Sequence, residues 1–592
     1  MKYLIVILAA ALLVALPFLF RKPTDLGDWR TGDPVLVIIS PHNEAVRYEF
    51  GEAFSRWHRE HYSRPVKIDW RMVGGTTEIM RYLASEYVSS MKGSWTRRGE
   101  IWPADGAELI LDRSFNPDKP PAEIATNETA RAHFERQKKL FSAFRNTDDP
   151  QTVSCGIDLF CGGGAYDHNN AARQGLTVAP WTAEERKQPE VAALVNAFPA
   201  QFGGEVWRSD VFFGTVLSTF GICCNPERLR DFGIATPPVA WRDLADPRLF
   251  GQVGLADPTK SGSVAKAFEM IIHEQCWRTV TAAGFTHEQV ASNEAAIAKA
   301  RLPPGELPPS VPPEYQAAVE RGWLDGVNLV RIIGANAHYF TDSAGKVTMD
   351  VNAGVVAAGV AIDFYGRFQA ETERAPDGTE RMLYTTPAGG SSVSADPTGL
   401  LRGAPHRELA VRFLTFALSL EGQKLWNYRP GTPGGPIRYA LRRLPIRRDF
   451  YPSDDPAIQA ACASNRPYLS DDLSDPRIDP YALGAQFTYQ PRWTGAHFDL
   501  QRDLVRAMCI DSGDELRAAW GAILAHGGPE KNPRAMALFR QLPDRPAPLD
   551  WRSALGAYKR IDRLARLREW TAFFRKRYEE ARAAATAAPP GA

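Results

Sequence analysis

The chain has 592 residues, of which 44% are hydrophobic and 23% charged, as expected for a folded, soluble body. Its length allows about two to four domains. The formal net charge is +1, which argues against a general affinity for nucleic acid or for acidic partners. The seven cysteines form no disulfide framework, no CxxC motif and no zinc-type spacing, so we expect most of them to be buried thiols.

The first element is an apolar run from Leu4 to Phe20, with Lys2 before it and Arg21 and Lys22 after it. This run is long for the core of a signal peptide and short for a membrane-spanning helix. It predicts that residues 1–23 are either a signal peptide or an N-terminal membrane anchor. The body of the protein is then periplasmic or otherwise extracytoplasmic, and a retained segment would anchor it to the inner membrane.

Residues 33–83 follow the order strand, helix, strand, helix. The first strand-like run, Val35–Ile39, leads into Pro41–Glu44, and the second, Val66–Trp70, leads into Gly74–Glu78. Ligands of open α/β sheets bind beyond the carboxyl ends of the strands. The polar residues of these two turns are therefore candidates for ligand contacts.

Strand-like and helix-like runs continue to alternate further along the chain. Residues 84–150 are polar and predict an insertion with a helical part near 128–145. The later runs are strands at 156–160, 253–256 and 354–368 and helices at 264–272 and 406–427. This alternation predicts an α/β chain with mostly parallel sheets.

The pattern changes after residue 440. Loops rich in proline and aspartate precede helix-like segments at 498–526 and 551–586, and the second segment is basic. One interpretation is a helix that lies on anionic lipid. The other is a helix that packs on the body of the protein and keeps a solvated basic face.

Three strand-to-helix turns carry candidate binding residues. Ser261, Gly262 and Ser263 open a helix, where free N–H groups and the helix dipole favour an anion. The alternative is that a serine simply caps that helix. The same alternatives hold for the first turn, where Asn43 binds ligand or caps a helix, and for Glu78, which a helix dipole would favour in any case.

Further along, Asn336, His338 and Tyr339 place an amide, an imidazole and a phenol close together in sequence, either in a cleft or in a core. Arg367 could clamp an anion with its planar guanidinium group or pair with a neighbouring acid. Histidine, glutamate and tyrosine ligands suit a ferric ion with an accompanying anion better than they suit zinc.

The common catalytic and nucleotide-binding motifs are absent from the sequence. It contains no GxxxxGK[ST], no HExxH, no GxSxG and no strand-linked GxGxxG. We therefore predict that the protein is not an enzyme.

Several of these segments, taken together, resemble a known family. They are similar to the type II periplasmic solute-binding proteins of ABC transporters, and most of all to the iron(III)-binding branch, over residues 33–430. The segments that carry the likeness are Pro41–Ala45, Thr77–Glu78, Asp158–Gly164, Ser261–Ser263, Asn336–Tyr339, Ala404–Ala410 and Ser419–Gln423.

The resemblance implies a two-lobe α/β fold with hinge strands, to which this chain adds a helical C-terminal extension. Lobe one is expected to combine residues 33–150, including the insertion at about 84–150, with residues 385–500. Lobe two is expected at 151–384, and the extension at 501–592.

The resemblance also implies a ligand set. His42, Glu78, His338 and Tyr339 would hold the metal, where relatives have a second tyrosine in place of His338. The anion, phosphate or carbonate, would contact Ser261, Gly262, Ser263 and Asn336, with Asn43 and Arg367 as further anion contacts. Fe(III) is then the transported ligand, and no tightly bound cofactor is expected.

The function implied is that of an extracytoplasmic solute-binding protein. It would be a monomer that does not bind nucleic acid and that delivers its ligand to an ABC permease by closing a cleft. A second hypothesis is the same fold with a small organic or phosphorylated anion and no metal. A third, from a different class, is a membrane-anchored cleft enzyme or sensor domain.

Overall fold

The computed structural model describes residues 29–374 and 377–587. The predicted signal peptide or anchor, residues 1–23, lies outside the described residues. Within them, no helix is both long enough and apolar enough to cross a membrane.

The strands are β1 (Val35–Ile39), β2 (Lys67–Arg71), β3 (Leu159–Cys161), β4 (Thr177–Val178), β5 (Gln201–Phe202), β6 (Glu205–Val206), β7 (Phe212–Ser218), β8 (Phe220–Cys224), β9 (Val253–Ala256), β10 (Ala337–Thr341), β11 (Ala358–Ile362), β12 (Leu383–Thr385), β13 (Ser394–Leu401) and β14 (Leu444–Pro445). The helices are α1 (Glu44–Tyr62), α2 (Thr76–Arg97), α3 (Gly106–Leu111), α4 (Glu128–Arg145), α5 (Ala165–Gln174), α6 (Pro189–Val195), α7 (Pro226–Asp231), α8 (Gly262–Ala282), α9 (His287–Ala300), α10 (Pro313–Ala335), α11 (Ala344–Asn352), α12 (Asp363–Thr372), α13 (Arg407–Leu418), α14 (Leu420–Asn427), α15 (Pro456–Asn465), α16 (Pro480–Gln486), α17 (Phe498–Val505), α18 (Gly513–Ala525), α19 (Pro533–Phe539), α20 (Trp551–Leu555) and α21 (Arg563–Thr586).

The first sheet has the strand order β14-β7-β13-β3-β1-β2, and β4 also pairs with β13. Strand β1 is parallel to both β2 and β3, whereas β13 is antiparallel to β3 and β7. Residues Leu36 to Ile39 of β1 are buried, which explains their continuous apolar run: a parallel strand is covered on both faces.

The second sheet has the strand order β10-β9-β11-β8-β12. Strands β9, β10 and β11 run parallel, and β8 is antiparallel to β11 and β12. The carboxyl ends of the parallel strands β9 and β10 lie at the same edge, where the Asp257 N–H donates to the Thr341 carbonyl over 2.7 Å.

The chain crosses between the two sheets at two short connections. Strand β7 ends in the first sheet at Ser218, and β8 begins in the second at Phe220. The return runs from β12 to β13, which lies in the centre of the first sheet. The predicted α/β fold of two lobes with hinge strands is therefore confirmed.

The strand pairing contradicts the predicted boundary between the lobes, which lies between residues 150 and 151. Strand β3 pairs with β1, with Ile38 opposite Leu159, and β7 pairs with β13. The strands of residues 151–218, apart from the separate pair of β5 and β6, therefore belong to the first sheet. The sequence pattern of a buried strand is the same in either lobe, so it did not locate this boundary.

The insertion at 84–150 folds against the first sheet. Tyr87 and Met91 of α2 pack with Leu140 and Phe144 of α4 in one buried cluster. The Tyr87 hydroxyl donates to the carbonyl of Arg402 over 2.8 Å. The predicted helical part near 128–145 coincides with α4.

Two predicted elements are wrong in part. The strand expected at 354–368 ends at Ile362, and residues from Asp363 onward form helix α12. The helix expected at 406–427 is divided at Ser419, whose side chain accepts from the Gly422 N–H and so caps a new helix, α14.

The helical extension packs on the second lobe. Arg331 of α10 is fully buried and donates to the carbonyl of Gln541 over 3.0 Å. Trp570, Phe574 and Tyr578 form the buried face of α21. This agrees with the interpretation of a docked terminal helix with a solvated basic face.

Each cysteine is free, and only Cys462 is partly exposed, as expected for structural thiols.

Candidate functional site: an interlobe cleft with an arginine at its base

Two helices of the first lobe begin without a side-chain cap. The residue before α2 is Gly75 and the residue before α5 is Gly164, and glycine has no side chain that could accept from the free N–H groups of its helix. Gly163 has a φ of +89°, a conformation that favours glycine. These turns therefore present backbone donors beyond the carboxyl ends of β2 and β3.

The helix starts of the two lobes meet across the cleft. A Cβ atom on Gly262, at the start of α8, would lie 3.0 Å from the Thr76 hydroxyl. A Cβ atom on Gly163 would lie 2.6 Å from the Thr76 methyl group. The N-termini of α2 and α5 from lobe one and of α8 from lobe two thus converge. We call this place the cleft mouth.

The cleft mouth contains charges of both signs. Burial raises the pKa of Asp167, in the first turn of α5, to about 6, although a hydrogen bond from Thr76 and the charge of Arg502 oppose this rise. Arg502 comes from α17 and donates to the carbonyls of Pro258 and Thr259 over 2.8 and 3.0 Å. The extension thereby reaches the turn that precedes α8.

A second group of polar residues lies at the base of the cleft, where the chain crosses between lobes. Arg443 is fully buried and donates through Nη2 to the Asp396 carboxylate and, over 2.5 Å, to the Ser218 hydroxyl. Its Nη1 lies 3.3 Å from Nε2 of His42, and its guanidinium group lies 4.8 Å from the Phe364 ring centre. We call Arg443, Asp396, Ser218 and His42 the hinge network.

The surroundings of His42 disfavour a positive charge. Its Nδ1 lies 3.0 Å from the Ser40 hydroxyl, and the side chain is buried. Burial lowers the pKa of His42, the Arg443 charge lowers it further, and Asp396 only partly opposes both. A cation bound at this imidazole would lie beside a buried guanidinium group, which is electrostatically unfavourable.

Asp363, at the start of α12, is a further buried acid near the hinge network. Burial raises its pKa to about 6, against the lowering effect of the Arg443 and Arg367 charges. One carboxylate oxygen of Asp363 has no hydrogen-bond partner among the described residues. The carboxyl group therefore holds a proton more readily than an exposed aspartate does.

Several predicted site residues do lie along this cleft. Ser261 caps α8, with its hydroxyl 3.4 Å from the Val264 nitrogen and 3.2 Å from the Ser263 hydroxyl. Glu78 lies in the first turn of α2, and its carboxylate is close to Gly75. His42 lies at the base and the other residues lie at the mouth.

Asn336 does not lie at the cleft. It is fully buried just before β10, at the amino end of that strand. Its amide nitrogen donates to the carbonyls of Leu244 and Asp246, and its oxygen accepts from the Trp520 indole over 2.9 Å. The residue fastens the extension to lobe two and has no capacity left for an anion.

His338 and Tyr339 also make contacts away from the cleft. His338 is exposed, with Nδ1 3.1 Å from the Gly251 carbonyl. The Tyr339 hydroxyl donates to Asp350 on α11, and burial followed by this hydrogen bond raises the pKa of the phenol. Phenolate formation is therefore opposed, although a ferric ion requires it.

The four predicted metal ligands are consequently not assembled into one site. Their recorded contacts lie in separate parts of the two lobes. In the described part of the chain, no group of three or more His, Cys, Asp or Glu side chains is arranged to hold a metal ion.

Of the remaining predicted residues, Asn43 caps α1 through the Val46 N–H, and Arg367 lies 3.6 Å from Asp471. Neither contacts the cleft mouth.

Four residues of the cleft were not predicted: Arg443, Asp396, Asp167 and Arg502. Arg443 and His42 are 401 positions apart in sequence, and no local motif marks either Arg443 or Arg502. A signal was present only for Asp167, which follows the glycine run that ends β3.

The comparisons with known proteins agree with this architecture. Residues 192–450 match the sequence profile of the family described as bacterial extracellular solute-binding protein. The matched stretch is less than half of the chain. The matched residues include the second sheet, both hinge connections and Arg443, and the match agrees with the predicted resemblance to solute-binding proteins.

Among curated proteins, an uncharacterized protein of Haemophilus influenzae is 33% identical over 133 residues, which are 22% of this chain and 35% of that protein. The match thus spans about a third of the relative's length.

Solved structures that are similar to this chain include three proteins of low sequence identity. AfuA from Actinobacillus pleuropneumoniae, with exogenous fructose-6-phosphate bound, is 15% identical with a TM-score of 0.42, over 79% of this chain and 98% of that one. Iron-bound HitA from Pseudomonas aeruginosa is 14% identical with a TM-score of 0.37, over 80% and 99%. The substrate binding protein of an ABC transporter from Agrobacterium tumefaciens is 11% identical with a TM-score of 0.44, over 81% and 95%. Likenesses of this strength do not indicate what this chain binds.

Proposed function

We propose that this chain is the extracytoplasmic solute-binding component of an ABC importer and that its ligand is a small anion bound without a metal. The observation that carries the proposal is the cleft mouth, where helix N-termini from both lobes converge on Thr76 and Gly262. A ligand held there touches both lobes, so its binding favours the closed arrangement that a permease would recognise.

The chemistry of the mouth supports an anion. Helices α2 and α5 begin without side-chain caps, and the free N–H groups of a helix start, together with the helix dipole, attract negative charge. The hydroxyls of Thr77 and Ser263 add donors that can rotate toward phosphate or carboxylate oxygens, and the Thr76 hydroxyl can do so by leaving the Asp167 carboxylate. A small phosphorylated or carboxylated solute fits this set of donors.

The hinge network supports an anion over a ferric ion. The buried Arg443 guanidinium lies beside His42, the first predicted iron ligand. Tyr339, the predicted phenolate ligand, donates its proton to Asp350. Fe(III) binding would require both groups to leave these partners.

The test is a calorimetric titration of the full-length protein with inorganic phosphate and with a panel of sugar phosphates and dicarboxylates. Thr76→Val removes a hydroxyl at the mouth and keeps the shape of the side chain. We expect it to weaken binding of the preferred anion about tenfold, which corresponds to about 1.4 kcal/mol. Thr96→Val, at the exposed far end of the same helix, is the matched control and should leave the affinity unchanged.

A parallel titration with ferric ion plus phosphate decides between the two ligands. A saturable visible absorption band that disappears in Tyr339→Phe would replace the present proposal with ferric binding. Equal affinity in Thr76→Val and Thr96→Val would remove the cleft mouth as the anion site.

A further inference from the structure

The C-terminal extension carries an open groove of about 640 Å³, which is within the size range of small-molecule sites. Four arginines, Arg506, Arg563, Arg568 and Arg575, and a single acid, Asp511, line it. We call this feature the basic groove. None of its lining residues belongs to the hinge network or to the three helix starts of the cleft mouth.

Two of these arginines are held in place while part of each guanidinium group stays available. Arg563 binds Asp503 through Nε and Nη2 over 2.7 to 3.0 Å. Arg575 donates through Nη2 to the Asp511 carbonyl over 2.6 Å, and its Nε lies 3.5 Å from Glu515. The Nη1 atom of each has no recorded partner among the described residues, so oriented donors remain at the groove.

Arg568 differs from its neighbours because it is exposed and forms no ion pair or hydrogen bond with any residue that the structure describes. One helical turn before it, Leu564 is 58% exposed. Arg568 and Leu564 lie on the same face of α21, as residues four apart on a helix do. The groove therefore combines an unpaired cation with an apolar wall.

We propose that the basic groove is a second anion site, which binds a phosphate group through Arg563, Arg568 and Arg575. Guanidinium groups match the geometry of phosphate oxygens and can donate two parallel hydrogen bonds to them. The phosphate belongs either to a free phosphorylated solute or to a phospholipid headgroup, and in the second case the glycerol and chain ends lie against Leu564. This site is independent of the ligand proposed for the interlobe cleft.

The experiment uses the full-length protein and two phosphate probes in calorimetric titrations. The first probe is inorganic pyrophosphate, and the second is a short-chain phosphatidylglycerol below its critical micelle concentration. The variant is Arg568→Gln combined with Arg575→Gln. Both positions are exposed, so the fold should be retained, which circular dichroism verifies. Lys576→Gln removes one exposed charge from the same helix outside the groove and is the control.

We expect the double variant to lose at least tenfold in affinity for one of the two probes, whereas Lys576→Gln keeps the affinity for both. A loss confined to pyrophosphate identifies a free solute, and a loss confined to the lipid identifies a headgroup. Titrations of the double variant that match those of Lys576→Gln for both probes would overturn the proposal. Thr76→Val, which affects only the cleft mouth, separates the failure of this site from the failure of the cleft.

Discussion

The hinge network and the cleft mouth are both polar, but they differ in how completely their polar groups are hydrogen-bonded within the protein. At the hinge, Arg443 has Asp396, Ser218 and His42 as partners, and all four side chains are buried. At the mouth, the helices that follow Gly75 and Gly164 begin without a side-chain cap from the residue before them. A buried charge that already has partners stabilises the fold, whereas donors without partners are available to a ligand.

This difference shows why residue type alone is a poor guide to a binding site. Removing one partner of a buried ion pair leaves the other charge uncompensated and costs about 3 to 5 kcal/mol. Removing one hydroxyl that contacts a ligand costs about 1 kcal/mol of affinity and little stability. The two regions therefore differ in which property, stability or affinity, responds to substitution.

The largest expected effect is at the hinge. Arg443→Met should lower the free energy of unfolding by about 3 to 5 kcal/mol because Asp396 stays buried without its partner. Urea denaturation followed by circular dichroism measures this change. The control is Arg477→Met, which removes an exposed arginine paired with Asp475 and should leave the free energy of unfolding nearly unchanged. Equal effects of the two substitutions would mean that the hinge network does not stabilise the fold.

The next effect concerns His168, which stacks on Phe160 beneath the mouth at a centroid distance of 4.2 Å. Burial lowers its pKa to about 4 from an ordinary 6.5. As the pH falls below 6.5, His168 takes up a proton in the unfolded chain before it does so in the folded protein. The free energy of unfolding therefore falls by about 3 kcal/mol between pH 6.5 and pH 4. His168→Phe should reduce this loss in a series of urea titrations between pH 7 and pH 4. A slope identical to that of the parent protein would mean that folding does not change the pKa of this imidazole.

A smaller effect of opposite sign is expected at Asp167. Its folded pKa of about 6 lies above the ordinary 3.8, so the folded state binds the proton more tightly and stability falls as the pH rises through this range. Asp167→Asn should therefore raise the free energy of unfolding by about 1 kcal/mol above pH 6, with allowance for partial exposure, and have no effect below pH 3.8. It should also tighten anion binding at neutral pH, because one negative charge leaves the mouth.

The same variant offers a check on the proposed ligand. Calorimetric titrations of Asp167→Asn at pH 5 and pH 7.5 should differ less than those of the parent protein. Weaker anion binding in the variant at pH 7.5 would indicate that the carboxylate accepts a hydrogen bond from the ligand and does not repel it.

The smallest effect is expected at Tyr339, which lies outside both regions. Tyr339→Phe removes one hydrogen bond to Asp350 and should cost about 1 kcal/mol of stability, with no change in anion affinity. Thermal unfolding and calorimetry measure the two quantities. A tenfold loss of affinity would return Tyr339 to the ligand site and with it the predicted ligand set.

Local sequence patterns predicted the local elements well. The apolar run Val35–Ile39 is a buried strand, and Val46, Phe50 and Phe54 form the buried face of α1. These patterns depend on neighbours within one element, and the period of burial is visible in the sequence. The turn at Ser261 was likewise predicted, because a strand followed by hydroxyl residues and a helix is a local feature.

The site was predicted only in part because its remaining members are set by contacts between distant segments. Asn336 and Tyr339 match the family pattern in sequence, but the first is saturated by the extension and the second by Asp350. Arg443 becomes part of the base only when β14 pairs with β7, beside the crossing into lobe two. No pattern near residue 443 contains that information.

The central position of β13 in the first sheet has a consequence for how the chain is made. This strand, residues 394–401, separates β7 from β3, so the first 393 residues cannot complete their sheet alone. A nascent chain of that length exposes unpaired strand edges on both sides of a gap and depends on later synthesis for closure. Completion of the lobe one sheet is thereby delayed until most of the polypeptide has been synthesised.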